Sequence, residues 1–338
     1  MFVRHLNHET RNPPPSFNPP PAASRAGEIN RSPERGRYAN EWRQAVPPPR
    51  GLLQRLRHIL RRTSLSFLGG LQPVPEKNFL RLLYCHYVFD DQVKAFEQIL
   101  QVLKGIGDFV NTDTCVDMLE GNREIKGRFF HLSFDDGFRN IVTNAVPVLR
   151  KYGIPAILFV PTSWAGADWQ GAKRFCLEKT GYSGVVEMAR WEELKRLTGS
   201  GMEVGSHTKN HLHWADLSQD PDLLWEEVAG SKHLLEKQLG RECKYLAWPF
   251  GAPVDGNPLF WESVHKAGYR ACFGACRGSV QPQQTCKYAI PRHHFEPQWP
   301  LSHIRFFASG HMEGGQQGLT SLPGDLEEET TPTPSTAP

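Results

Sequence analysis

Two carboxylates stand side by side in Ser133-Phe134-Asp135-Asp136-Gly137, and two imidazoles stand four residues apart in His207-Thr208-Lys209-Asn210-His211. Adjacent carboxylates at a strand-to-helix turn can divide labour: one binds a cation, whose charge keeps its neighbour ionised as a base. Gly137 permits the sharp turn that aims both side chains at one point, whereas inside a regular strand they would diverge to opposite faces. The same pair also suits a turn and helix cap, where Asp is favoured. Histidines four residues apart reach one metal when the chain turns helically between them. An extended chain would hold them roughly 13 Å apart, and metal–nitrogen bonds are about 2 Å. Together the two sets supply two His and one Asp, leaving coordination positions for water and substrate as in a hydrolytic metal site. His213, His233, His265 and His303 lack such a partner and read as surface or core residues.

Short apolar runs alternating with amphipathic stretches must position these groups. Strands are expected at 80–88, 128–134, 156–160, 202–205, 245–248 and 288–291, with a further strand after Gly268. Helices are expected around 93–103, 142–151, 191–197, 223–239 and 261–267, several stopped by glycine. On this reading the acidic pair follows the second strand and the histidines follow the fourth. Repeated βα units imply parallel strands with covering helices, and at this length a closed or nearly closed barrel. Barrel chemistry sits at the carboxyl ends of the strands, where both motifs fall.

The tails read differently. Residues 1–62 hold twelve Arg, no Lys and four Glu, so the net charge of +3 belongs to the leader and the remaining chain is net negative. A nucleic-acid-binding face is thereby disfavoured, since such binding needs clustered cations on the folded part. Ten prolines within residues 1–50 predict disorder. Residues 50–63 interleave Leu52, Leu53, Leu56, Ile59 and Leu60 with arginines, which suits a short basic amphipathic helix that either docks on the barrel or stays solvated, or makes a weak membrane-surface contact. The expected organisation is a disordered leader over 1–75, a barrel over 76–309 and a disordered acidic, Thr/Pro-rich tail over 310–338. The leader is expected to add no ligand and little core. No apolar run is long enough to span a membrane. Prolines interrupt the first 30 residues where a secretory signal would need an apolar core, so a cytoplasmic location is expected. Seven scattered cysteines without a CxxC pair suggest reduced, buried thiols.

The motifs resemble those of the polysaccharide deacetylase family, the NodB-homology domain of the carbohydrate esterase 4 type, over about residues 80–296. Ser133 to Gly137 matches its (T/S)FDDG motif, and Gly205 to His211 matches H(S/T)xxxH with its lead-in. Tyr152-Gly153-Ile154-Pro155-Ala156, Trp191-Glu192-Glu193-Leu194 and Ala247-Trp248-Pro249-Phe250-Gly251 follow the family's order. The resemblance implies a distorted (β/α)7 barrel that removes N-acetyl groups from an amino-sugar glycan or glycoconjugate with one divalent metal ion, commonly zinc. It further implies Asp135 as general base, Asp136, His207 and His211 as metal ligands, and Trp248, Pro249 and Phe250 as substrate-binding residues. A backbone N–H near Phe250 would help hold the oxyanion.

Two departures matter. Many members orient the base with an Arg just before the third motif, where this chain has Leu246-Ala247; Arg292, in Ile290-Pro291-Arg292, resembles the late Pro-Arg of a subgroup and can take that role. The late Leu-x-His that supplies the general acid is absent in that form, which leaves His86 as the preferred acid and His294 as the second choice. Trp164, Trp169 and Trp214 offer packing or sugar-stacking surface. Alternatives are deformylation or other hydrolysis of a sugar-linked small amide, and a catalytically silent sugar-binding module.

Overall fold

A computed structural model of the chain describes residues 38–46, 63, 77–198, 201–251, 258–278 and 280–310. The strands are β1 (Phe79–Cys85), β2 (Asp108–Phe109), β3 (Arg128–Phe134), β4 (Ala156–Val160), β5 (Met202–Ser206), β6 (Tyr245–Ala247), β7 (Ala271–Phe273) and β8 (His293–His294). They form a parallel sheet in the order β7-β6-β5-β4-β3-β1-β8, with the short β2 pairing on β3. Past β7 the chain stays against that strand: Gly274 N–H donates to the Ile290 carbonyl at 2.8 Å, and Ile290 N–H to that of Cys272 at 3.0 Å. From there it enters β8 beside β1, so the two ends of the curled sheet meet through residues 290–294. The alternation of strands and helices led to the expectation of a nearly closed barrel, and the resemblance implied a distorted one; the curled sheet fits both.

Alternation along the strands decides what faces inward. Leu80 and Leu82 of β1, Ile157 and Phe159 of β4, Tyr245 and Ala247 of β6, and Ala271 and Phe273 of β7 pack together inside the barrel. Their neighbours Leu83, Phe130, Leu132, Phe134, Leu158, Val160 and Leu246 pack outward under helices such as Val93–Lys104. Side chains on a strand alternate with period two. The inward phase of β3 is therefore His131 and Ser133, and it continues to Asp135. That of β1 leads to His86, and that of β5 leads through Gly205 to His207. Register aligns these ends, with Cys85 of β1 opposite Phe134 of β3 and Tyr84 opposite His294 of β8. A side chain at Gly205 would come within 2.7 Å of the Phe159 ring, so the inward position below His207 must stay empty.

The structure corrects several expectations. The two-residue β2 shifts the count, so the acidic pair follows β3 and the histidines follow β5. The last strand is His293–His294, not 288–291, because the chain touches β7 only around Ile290 before crossing to β1. The long helix runs as three consecutive helical segments, Pro221–Trp225, Glu226–Gly230 and Ser231–Leu239. Among the described residues, no helix is long and apolar enough to cross a membrane. Most of the leader, including the basic stretch at 50–62, and residues 311–338 lie outside the described residues.

Residues 38–46, expected in a disordered leader, are packed on the domain. Ala39 N–H donates to the Val185 carbonyl (2.8 Å), Ser183 and Gly184 N–H donate to that of Ala45 (2.9 and 3.2 Å), and Asp90 N–H donates to that of Asn40 (3.0 Å). The Trp42 indole N–H reaches the Tyr87 hydroxyl at 3.2 Å. Ala45, 0% exposed, joins a cluster with Tyr87, Phe138, Trp164, Phe175 and Val186. For residues 38–46 the reading as disordered leader does not hold, because proline and arginine content says nothing of a tertiary groove that a few apolar side chains can fill. Gly184 lies so close that a β-carbon there would sit 2.1 Å from the Gln44 carbonyl oxygen. Gly184→Ala is therefore expected to lift this strap and cost about 1–3 kcal/mol, the usual scale of overpacking, and deleting residues 1–46 should lower the melting temperature comparably. An unchanged melting temperature in both variants would show that the strap adds nothing to stability.

Candidate metal and hydrolytic site

Asp136, His207 and His211 converge beyond β3 and β5, with a ligand atom of each within 4.8 Å of the others, and all three are buried. Asp136 Oδ1 lies 3.5 Å from His207 Nε2 and 3.2 Å from His211 Nε2. Left-handed backbone makes this possible. Asp136 (φ 68°) and Gly137 (φ 67°) turn the chain at once after Asp135, so adjacent carboxylates reach neighbouring points instead of opposite faces. A β-carbon at Gly137 would also press on Val160 and Pro161 at 3.1 and 3.3 Å.

The histidines are gathered in a way spacing did not suggest. The loop between them is not a helical turn; Thr208 (φ 59°) and His211 (φ 57°) are left-handed, and the rings end 5.0 Å apart. Such residues cost about 1–3 kcal/mol each and persist where surrounding structure over-determines them. His207 Nδ1 faces the Ala247 carbonyl at 2.7 Å and so carries the proton, leaving the Nε2 lone pair on the side of Asp136, where it could bind a cation. His211 Nδ1 is buried without a hydrogen-bond partner. Burial would raise the Asp136 carboxyl, but the facing imidazoles outweigh it and hold the group far below the ordinary carboxylate range. Two nitrogens and an ionised oxygen aimed at one point, in a buried setting, fit a divalent cation, and the mixed N/O set suits zinc.

Asp135 is held apart from this cluster. The Arg292 guanidinium grips it with both arms, at 2.8 Å to Oδ1 and 2.7 Å to Oδ2, while also donating to Ser133 Oγ (3.0 Å) and the Gly274 carbonyl (2.6 Å). Arg292 is fully buried and stacks over the Tyr84 ring at 4.3 Å. Burial pushes the Asp135 carboxyl up, yet Arg292 and then His207 outweigh it, and the group is lowered below its ordinary range. A bidentate pair of this kind fixes orientation as well as charge.

At the ends of β1 and β8, the His86 and His294 rings lie 5.2 Å apart and both pack on Tyr84, the ring that Arg292 also covers. Burial, and next the neighbouring His86, push His294 down to about 3, so it is neutral at pH 7.

The third motif divides. Phe250 is 54% exposed in a left-handed turn (φ 61°), its ring 4.9 Å from His211 and 5.1 Å from His213. Trp248, expected to contact substrate, is 1% exposed, donates its indole N–H to the Tyr288 carbonyl at 3.2 Å and packs on Phe260. It belongs to the core, and Pro249 is buried beside it. Trp164 is likewise buried and braces the histidine loop through an indole N–H to the Asn210 carbonyl, 3.2 Å away. Trp169 and Trp214 are partly buried. Sequence reasoning missed the strap's share in this wall: Ala45 shares a cluster with Phe175, whose ring meets His211 edge-on at 5.3 Å.

Residues 122–272 match the family model described as polysaccharide deacetylase. The chain is 28% identical over 180 residues to the poly-beta-1,6-N-acetyl-D-glucosamine N-deacetylase of Staphylococcus aureus strain MSSA476, a match covering 49% of this chain and 56% of that protein. It thus spans about half the length of the curated relatives it matches. Among solved structures, IcaB from Ammonifex degensii aligns with a TM-score of 0.58 at 24% identity, covering 69% of this chain and 98% of that one. The Streptococcus pyogenes deacetylase PplD, solved in complex with acetate, aligns with a TM-score of 0.52 at 22% identity, covering 68% and 97%. At these identities the structural likeness is one of fold. The family match runs from just before β3 to β7 and so includes both chemical motifs: residues 122–272 form a polysaccharide deacetylase domain.

Proposed function

We propose that the chain hydrolyses N-acetyl groups from an amino-sugar glycan or glycoconjugate with the help of one divalent metal ion, zinc by preference. The observation that carries this reading is the pairing of two differently held carboxylates: Asp136 aimed with His207 and His211 at one point, and Asp135 clamped by Arg292. Zinc held by Asp136, His207 and His211 would act as a Lewis acid on a carbonyl oxygen and lower the pKa of water.

The remaining steps fall to the chain's own residues. Asp135, ionised and oriented by Arg292, accepts the proton of the attacking water. Arg292 positions that carboxylate and does not itself touch substrate. The departing amine is a poor leaving group until protonated, so an acid must stand within reach of it. His86, at the end of β1 where barrel chemistry emerges, is assigned that part ahead of His294, which burial pushes down. Phe250 at the rim offers a backbone N–H to the charge developing on the acetyl oxygen and an exposed ring to the sugar.

The test is metal analysis of the purified full chain together with acetate and formate release from N-acetyl and N-formyl glucosamine oligomers. Acetate release that a chelator abolishes and zinc restores is the expected result. Formate release alone would favour the deformylase reading, and chelator-resistant hydrolysis would remove the metal from the reaction.

A further inference from the structure

The loop that carries both histidines is anchored by one carboxylate that no motif predicts. Glu227, in the helical segment Glu226–Gly230, is 0% exposed. Its Oε2 accepts the backbone N–H groups of Lys209 (3.1 Å) and Asn210 (2.8 Å), and its Oε1 accepts the Asn210 side-chain amide (2.6 Å). These are the two residues directly before His211, between one imidazole and the next. The Lys209 ammonium goes elsewhere, to the exposed Glu226. Glu227 therefore exchanges water for three N–H donors, an arrangement that satisfies a buried carboxylate only while the loop keeps its shape.

Other ties hold the outer backbone of the loop. Thr162 N–H and Ser231 Oγ donate to the Thr208 carbonyl at 3.1 and 2.9 Å, and Ser163 N–H donates to that of Lys209 at 2.9 Å. The Trp164 indole N–H also reaches the Asn210 carbonyl at 3.2 Å, but it is Glu227 that takes the Asn210 backbone N–H and side-chain amide, just before the left-handed His211. We infer that Glu227 is a positioning residue for the metal site: by gripping Lys209 and Asn210 it sets the separation and aim of the His207 and His211 rings before a metal arrives. The inference rests on Asp136, His207 and His211 being that site.

Zinc affinity of the full chain, measured by chelator competition alongside the melting temperature of the metal-free protein, tests it. Glu227→Ala removes both acceptor oxygens, and with them all three hydrogen bonds, and is expected to weaken zinc binding about 10- to 100-fold, the scale seen when groups that orient metal ligands are removed. Glu227→Gln retains an oxygen for the two backbone donors, and rotation of the Asn210 amide satisfies the other end, so most of the affinity should return. Asn210→Ala, a milder change, should give an intermediate loss if Glu227→Ala does not fold. A folded Glu227→Ala or Asn210→Ala with wild-type zinc affinity overturns the positioning role. So does a loss of affinity that merely follows the folded fraction. Wild-type protein that takes up no zinc overturns the metal-site reading instead.

Discussion

His207→Ala is expected to leave a protein that loses its metal on dialysis and with it all measurable hydrolysis. Among the described residues three candidate ligands converge here, Asp136, His207 and His211, so removing one takes a third of the proposed donor set. The loss should exceed the roughly 10- to 100-fold penalty seen for residues that merely orient ligands. His207→Ala also leaves the Ala247 carbonyl without its 2.7 Å donor, which adds a modest stability cost of about 1 kcal/mol. Asp136→Asn is the companion test, because Asn tolerates the left-handed backbone at φ 68° and changes only the charge and one donor atom. Metal content after dialysis is the measurement. Full occupancy in both variants would show that the cation site lies elsewhere.

Much of the barrel was legible because its strands are short, apolar and bounded by glycine. β3, β4 and the helix Trp191–Leu197 stand where apolar runs and helical spacing place them. Elements of two residues carry too little pattern, so β2 at Asp108–Phe109 went unseen and β8 was displaced to an apolar run that touches β7 at a single bridge. The helix Thr112–Glu120 is different, for its signals were present: Asn111 caps the Thr114 N–H, Gly121 closes it at φ 81°, and Cys115, Val116, Met118 and Leu119 form its buried stripe. The strap had no such signal. Its Trp42 and Ala45 acquire meaning only against the cluster around Tyr87 and Phe175, which other parts of the chain supply.

The site divides along the same line. Residues adjacent in sequence, such as Asp135 and Asp136, could be read as a pair, although the left-handed turn that separates their tasks begins at Asp136 itself and not only at Gly137. Trp248 was misassigned because alternation applies here too: Ala247 faces the barrel interior, so Trp248 points outward under the helices. Phe250 reaches the rim only after the chain reverses. Glu227 lies on a helix whose sequence shows one more acidic residue among several, and its three donors come from a loop that spacing alone had read as a helical turn.

Asp135→Asn should retain metal yet lose turnover by roughly 10²- to 10⁴-fold, the usual worth of a positioned proton acceptor. The amide keeps the shape of the carboxylate and can still accept from Arg292, but it cannot take a proton from water. Its cost in stability follows from the same pairing. Arg292 is fully buried, and neutralising its partner leaves a guanidinium charge uncompensated, which costs up to about 3–5 kcal/mol. The melting temperature should therefore fall while zinc affinity holds, the reverse of the pattern expected for Asp136→Asn. That opposition separates the two neighbouring carboxylates more sharply than activity alone, since both variants should lose turnover. Near-wild-type turnover in Asp135→Asn would remove this residue from the role of base, and loss of metal would mean that both carboxylates bind the cation.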